Sequence, residues 1–139
     1  MAERRRLARG VLDTSVVIDL EHIDASDLPA EVAVSAITLA ELAAGPHATD
    51  NPDERARRQD RLQRAEAAFD PLPFDGESAR AYGRIFSAVN AAGRKVRGAR
   101  AADLLIAATA LAADLPLLTR NGDDFRSLED VLEVVVMEQ

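Results

Sequence analysis

Four acids stand out in the 139-residue chain by where they fall: Asp13, Glu41, Asp103 and Asp124. Asp13 closes the short apolar run that begins at Gly10, and Thr14 and Ser15 follow it. Asp103 stands at the head of a nearly all-apolar stretch, Ala101 to Ala113, where a first-turn position would let the helix dipole favour an anion. Asp124 comes just after the apolar segment Leu115 to Thr119. Glu41 interrupts a helical pattern whose one-turn neighbours, Ile37, Thr38, Ala44 and Gly45, are small or apolar. Each acid has an ordinary explanation. Asp13 could cap a helix, Asp103 could serve the dipole, Glu41 could mark a solvated stripe, and Asp124 could belong to a solvated turn. Taken jointly, they suggest another chemistry. Carboxylates crowded together repel one another unless a cation sits among them, and an all-oxygen set without His or Cys suits Mg²⁺ or Mn²⁺.

The elements that would position these acids alternate in type. Gly10 to Asp13 reads as a strand end, and Thr14 or Ser15 starts a helix through about Leu20. Val32 to Ser35 is a second strand. Ile37 to Ala44 is a helix stopped by Gly45 and Pro46. Pro52 opens a strongly charged helix running on to Phe69. Asp70 to Phe74 is extended, and Pro71 and Pro73 place it at an edge. A helix capped by Asp75 or Ser78 runs to about Ala92, and a basic loop spans Gly93 to Gly98. The apolar helix Ala101 to Ala113 should be buried. A strand at Leu115 to Thr119, a turn or short helix at Asp123 to Leu128 and a strand at Val131 to Met137 complete the chain. This pattern predicts an α/β fold: an open, mostly parallel sheet flanked by helices on both faces. Ligands in such sheets bind beyond the carboxyl ends of the strands, where Asp13 and the residues after Thr119 fall.

Composition narrows the chemistry further. The length suits one domain, residues 1–139. No cysteine is present, so disulfides, thiolate zinc sites and cysteine nucleophiles are excluded. His22 and His47 are the only histidines. The arginine-rich start is followed by an apolar stretch broken by Asp13 and Asp19, so neither a signal-peptide core nor a membrane span is expected. The expected location is the cytoplasm. The net charge of −7 works against polyanion binding. However, the positive charge is almost all arginine, the better phosphate fork, clustered at 4–9, 55–64 and 94–100, with Lys95 the only lysine.

Four blocks of this chain resemble, in order, those of the PIN domain nucleases. They are Val11 to Leu20 (VLDTSVVIDL), Ser35 to Gly45 (SAITLAELAAG), Ala102 to Ala110 (ADLLIAATA) and Leu118 to Phe125 (LTRNGDDF). The last block is most similar to the VapC toxin branch of type II toxin–antitoxin systems. The resemblance implies a PIN-like fold and metal-dependent hydrolysis of RNA phosphodiesters that leaves a 5′-phosphate. It assigns the catalytic acids to Asp13, Glu41, Asp103 and Asp124. Asp13, Asp103 and Asp124 would be the metal ligands, and Glu41 would hold a water or a second ion. Asn121 could assist through its amide oxygen, whereas Asp123 reads as a turn residue. The hydroxyls of Thr14, Ser15 and Thr119 could orient the carboxylates, with capping or turn roles equally open.

The same resemblance implies an RNA substrate, a VapB-like antitoxin and a homodimer. Arg94, Lys95, Arg97 and Arg100, in the loop leading to Asp103, and Arg120 are candidate RNA contacts; an ordinary solvated loop is the other reading. Arg55 to Arg64 reads as a solvated helix face, because Glu54 and Asp60 interleave with it. With aromatics at 4%, base-stacking platforms are scarce. Tyr82, Ile85, Phe86 and Val89 repeat at helical spacing and suit either a symmetric interface or the core. Val16, Val17 and Ile37 could receive a partner helix or, again, fill the core. Two rival classes are a catalytically inactive PIN-type binding module and a phosphotransfer or phosphatase α/β protein. The second would need a lysine near the phosphate, but Lys95 falls in a predicted loop.

Overall fold

A computed structural model describes residues 7–93 and 99–137, with the side chains of residues 99 and 100 outside that description. The candidate RNA contacts Arg94, Lys95 and Arg97, and the side chain of Arg100, therefore lie outside the described residues. Four parallel strands form one sheet in the order β2-β1-β3-β4. They are β1 (Arg9–Leu12), β2 (Glu31–Ala33), β3 (Leu117–Thr119) and β4 (Val134–Val136). The central strands carry unbroken buried runs, as a sheet covered on both faces requires. Successive side chains alternate between the faces. Val11 and Leu117 enter one hydrophobic cluster, and Leu12 and Leu118 enter the other.

The first cluster is filled by α4 (Gly76–Ala91) and α5 (Ala99–Ala112). Ile85 and Val89 pack there with Leu104, Ile106 and Ala107. The second is filled by α1 (Thr14–Ile18), α2 (Ala36–Ala44) and α3 (Pro52–Ala68), through Val16, Val17, Leu42, Leu62 and Ala65. Local chemistry sets the helix starts. The side chains of Ser35, Asn51 and Asp75 accept from the backbone N–H groups of Thr38, Glu54 and Ser78. Leu72 accepts from Ala36 N and donates to Val34 O, forming a single bridge beside β2 between its two flanking prolines. Gly10 is demanded by packing: a Cβ there would stand 2.5 Å from Leu118 Cδ1. Among the described residues, no helix is long and apolar enough to cross a membrane.

The structure corrects several expectations. α5 starts at Ala99, which puts Asp103 in its second turn, where the helix-dipole rationale weakens. β4 begins at Val134, because the N–H groups of Val131 and Leu132 turn back to Leu128 O. Ile85 and Val89 are sealed against α5, so of the four-residue stripe on α4 only Phe86 is exposed and Tyr82 half-buried. Val16 and Val17 are also core residues, and of the two only Val17 borders a surface groove, between α1 and α3. Ile37 is half-buried and packs against the first cluster.

Candidate active site

The chain runs from β1 to β2 on one side, and β3 pairs on the other side of β1, so the switch in strand order lies between β1 and β3. Asp13 and Thr119 stand there, at the carboxyl ends of the two strands, the position at which open parallel sheets bind ligands. Asp13 continues the ladder through its N–H to Leu118 O at 2.8 Å. Its side chain is buried and makes no capping bond to α1, which removes the ordinary explanation for it. Oδ2 instead accepts from Ser15 Oγ and from Thr119 Oγ1, each at 2.8 Å. Ser15 Oγ and Thr119 Oγ1 in turn accept from the backbone N–H groups of Arg120 and Asn121. Oδ1 is buried with no hydrogen-bond partner among the described residues. A buried carboxylate oxygen left so is costly, and a bound cation would offset that cost.

Thr14 carries the arrangement to α2. Its hydroxyl donates to Glu41 Oε1 at 2.7 Å and lies 3.0 Å from Thr38 Oγ1. Thr38 and Ser35 are fully buried hydroxyls that sequence reading passed over. Their spacing was a usable signal, since Ser35, Thr38 and Glu41 follow at three-residue intervals along one helical face. Glu41 is half-buried and does point into a cavity, a cleft of ≈ 380 Å³ that it lines with Thr14, Ile18, Arg58 and Arg61. Arg58 and Arg61 correct the view of 55–64 as a wholly solvated face: both are half-buried.

The other candidates sit on separate segments. Asp103 is half-buried in α5. Asp124 is half-buried in the 3-10 helix Gly122–Leu128, with its N–H on Asn121 O. It lines a second cleft of ≈ 640 Å³ with Arg120, Asn121 and Asp123. Asp123 is exposed and pairs with Arg126. Arg120 holds Asp19 at 3.3 Å, with its side chain only 13% exposed. Among the described residues, no three His, Cys, Asp or Glu side chains form a metal-sized group. Two hydroxyl-held carboxylates flank the start of α1: Asp13, held by Ser15 and Thr119, and Glu41, held by Thr14.

Residues 10–131 match the PIN domain family. The chain is 38% identical over 133 residues to Ribonuclease VapC5 of Mycobacterium tuberculosis, covering 94% of this chain and 95% of that protein. It is 30% identical to Ribonuclease VapC1 of Rickettsia felis over 131 residues, 91% of this chain and 95% of that one. Its fold superposes with a TM-score of 0.82 on a crystal structure of VapBC-5, a member of the VapBC toxin–antitoxin family from M. tuberculosis. That match has 38% identity and covers 94% of this chain and 99% of the other.

Proposed function

The chain belongs to the PIN domain family, and from that premise we propose that it is a cytoplasmic, metal-dependent endoribonuclease, the toxin of a type II toxin–antitoxin pair. The observation that carries this reading is the state of Asp13. Two hydroxyls hold Oδ2, while Oδ1 is buried without a donor. The oxygen-only donor set suits Mg²⁺ or Mn²⁺. Asp13 would hold the cation, and Asp103 and Asp124, which form no metal-sized group with it among the described residues, would have to move toward it to complete the shell, with Asn121 assisting.

Bound there, a divalent cation would lower the pKa of a water and offset charge on the phosphate. The protein's own groups set the orientation. Ser15 and Thr119 fix the rotation of the Asp13 carboxylate, so that it presents one oxygen. Thr14 fixes Oε1 of Glu41 and leaves Oε2 to hold the attacking water and take up its proton. Hydrolysis consumes one water, breaks the bond from phosphorus to the 3′ oxygen and yields a 3′-hydroxyl and a 5′-phosphate. The relatives named ribonuclease and the VapBC toxin–antitoxin structure support the rest of the reading: RNA as substrate and a VapB-like antitoxin as partner. A homodimer is part of the same proposal, with Phe86 and Tyr82 as the apolar contribution of α4.

The test is incubation of the purified protein with total cellular RNA and Mg²⁺ or Mn²⁺, followed by mapping of new 5′ ends. Discrete 5′-phosphate ends are expected with the wild type. They should vanish in Asp13→Asn and in Asp103→Asn, with the fold of each checked by circular dichroism. Cleavage at the wild-type rate in either folded variant overturns the assignment.

A further inference from the structure

α3 carries five arginines, Arg55, Arg57, Arg58, Arg61 and Arg64, and four are committed within the protein. Arg55 donates to Pro46 O and Thr49 O. Arg57 pairs with Glu54. Arg58 pairs with Glu54 and donates to Gly45 O. Arg64 pairs with Asp60 at 2.9 Å. Arg61 alone has no hydrogen bond or ion pair to any described residue, although it is half-buried. It lines the Glu41 cleft, and it also lines an adjoining groove of ≈ 460 Å³ between α1 and α3, walled by Val17, Ile18, Ala65 and Phe69. It therefore stands where the two depressions meet. Glu41 and Glu54 line the same cleft and Glu21 and Asp60 the same groove, but none of them forms an ion pair with Arg61, so an arriving anion meets a cation still open to pairing.

We propose that Arg61 binds a backbone phosphate of the RNA strand beside the scissile one, and that the strand leaves the Glu41 cleft along the α1–α3 groove. The proposal rests on the ribonuclease reading above. Arg57, Arg61 and Arg64 follow at intervals of about one helical turn, roughly 5.4 Å, so they form a ridge along the groove. Among the described residues Arg61 has no acidic partner to share, whereas Arg64 pairs with Asp60 and Arg57 shares Glu54 with Arg58. The contact is to backbone, so Arg61 contributes affinity and register without base preference. That agrees with a protein this poor in aromatics. It also gives a chain of net charge −7 a local cation for RNA beside the Glu41 cleft.

The experiment uses the full chain. Retention of end-labelled total cellular RNA on filters is measured for Asp13→Asn protein across a salt series, and wild-type cleavage of the same RNA is followed in parallel. Adding Arg61→Gln should weaken retention about tenfold at low salt and make the log–log salt slope shallower by about 0.7 to 1. Arg61→Lys should restore most of both. Arg84→Gln, an equal charge loss on exposed α4, should change neither. Wild-type cleavage with unchanged retention and slope in Arg61→Gln overturns the Arg61 assignment alone. Absence of both cleavage and retention in the parent proteins overturns the ribonuclease reading and this proposal with it. Loss of binding to a co-purified partner protein, with RNA retention intact, would assign Arg61 to that partner and overturn the RNA contact.

Discussion

Thr119 Oγ1 donates to Asp13 Oδ2 across 2.8 Å, joining the carboxyl ends of two neighbouring parallel strands whose residues stand 106 apart in sequence. With Ser15, it leaves the carboxylate one open oxygen. Thr119→Val keeps the shape and removes the donor. It should lower cleavage 10- to 100-fold and raise the Mg²⁺ or Mn²⁺ concentration needed for half-maximal rate, the usual effect of losing a group that orients a ligand. Unchanged metal dependence would show that the hydroxyl serves only the sheet.

Gly122 starts the 3-10 helix that bears Asp124, and a Cβ there would meet Val136 Cγ2 at 2.7 Å. Gly122→Ala should cost about 1–3 kcal/mol by overpacking and reduce activity by moving Asp124. Val136→Ala in the same chain should recover most of both losses. Denaturant unfolding and RNA cleavage of the single and double variants measure this.

Asp114 holds φ = +56°, just past the end of α5, where Leu115 N–H reaches back to Ala110 O. This is the helix-terminating position that glycine fills without strain. Asp114→Gly should stabilise the protein by about 0.5–1 kcal/mol, with no change in cleavage. A destabilised variant would show that the aspartate side chain contributes more than its backbone costs.

The backbone N–H of Ser78, hydrogen-bonded to Asp75, holds the Asp75 carboxyl below its ordinary value of 3.8. A folded-state pKa below the unfolded one contributes stability that is present above the unfolded value and is lost as pH falls through the folded one. Asp75→Ala should therefore reduce stability at neutral pH and flatten the decline on the acid side. Asp75→Ala and wild-type melting temperatures should converge at the acid end of a pH series.

Much of this was legible in the residues. Unbroken apolar runs around Val11 and Leu117 marked central parallel strands. Gly45-Pro46 and the edge prolines Pro71 and Pro73 punctuated the chain where the structure does. Other features depended on three-dimensional context. A charge run such as 55–64 does not say which helical face looks into a cleft, so Arg61 was hidden among neighbours with partners. The stripe from Tyr82 to Val89 is periodic whether it faces another copy or α5, and Ile85 and Val89 turned inward. Asp103 moved out of the first turn because α5 extends back to Ala99, into residues that read as loop.

The strand order also sets a sequence of events during synthesis. Asp13 emerges early, but its β3 neighbour and the Thr119 hydroxyl arrive 106 residues later, and β4 later still. At about 5–20 residues per second, that interval is roughly 5–20 s per chain. During it the nascent protein holds Asp13 and Glu41 but lacks β3 and the Thr119 hydroxyl that fixes Asp13. The Asp13 carboxylate is thus oriented only after β3 has been made, well behind the helices that pack around it.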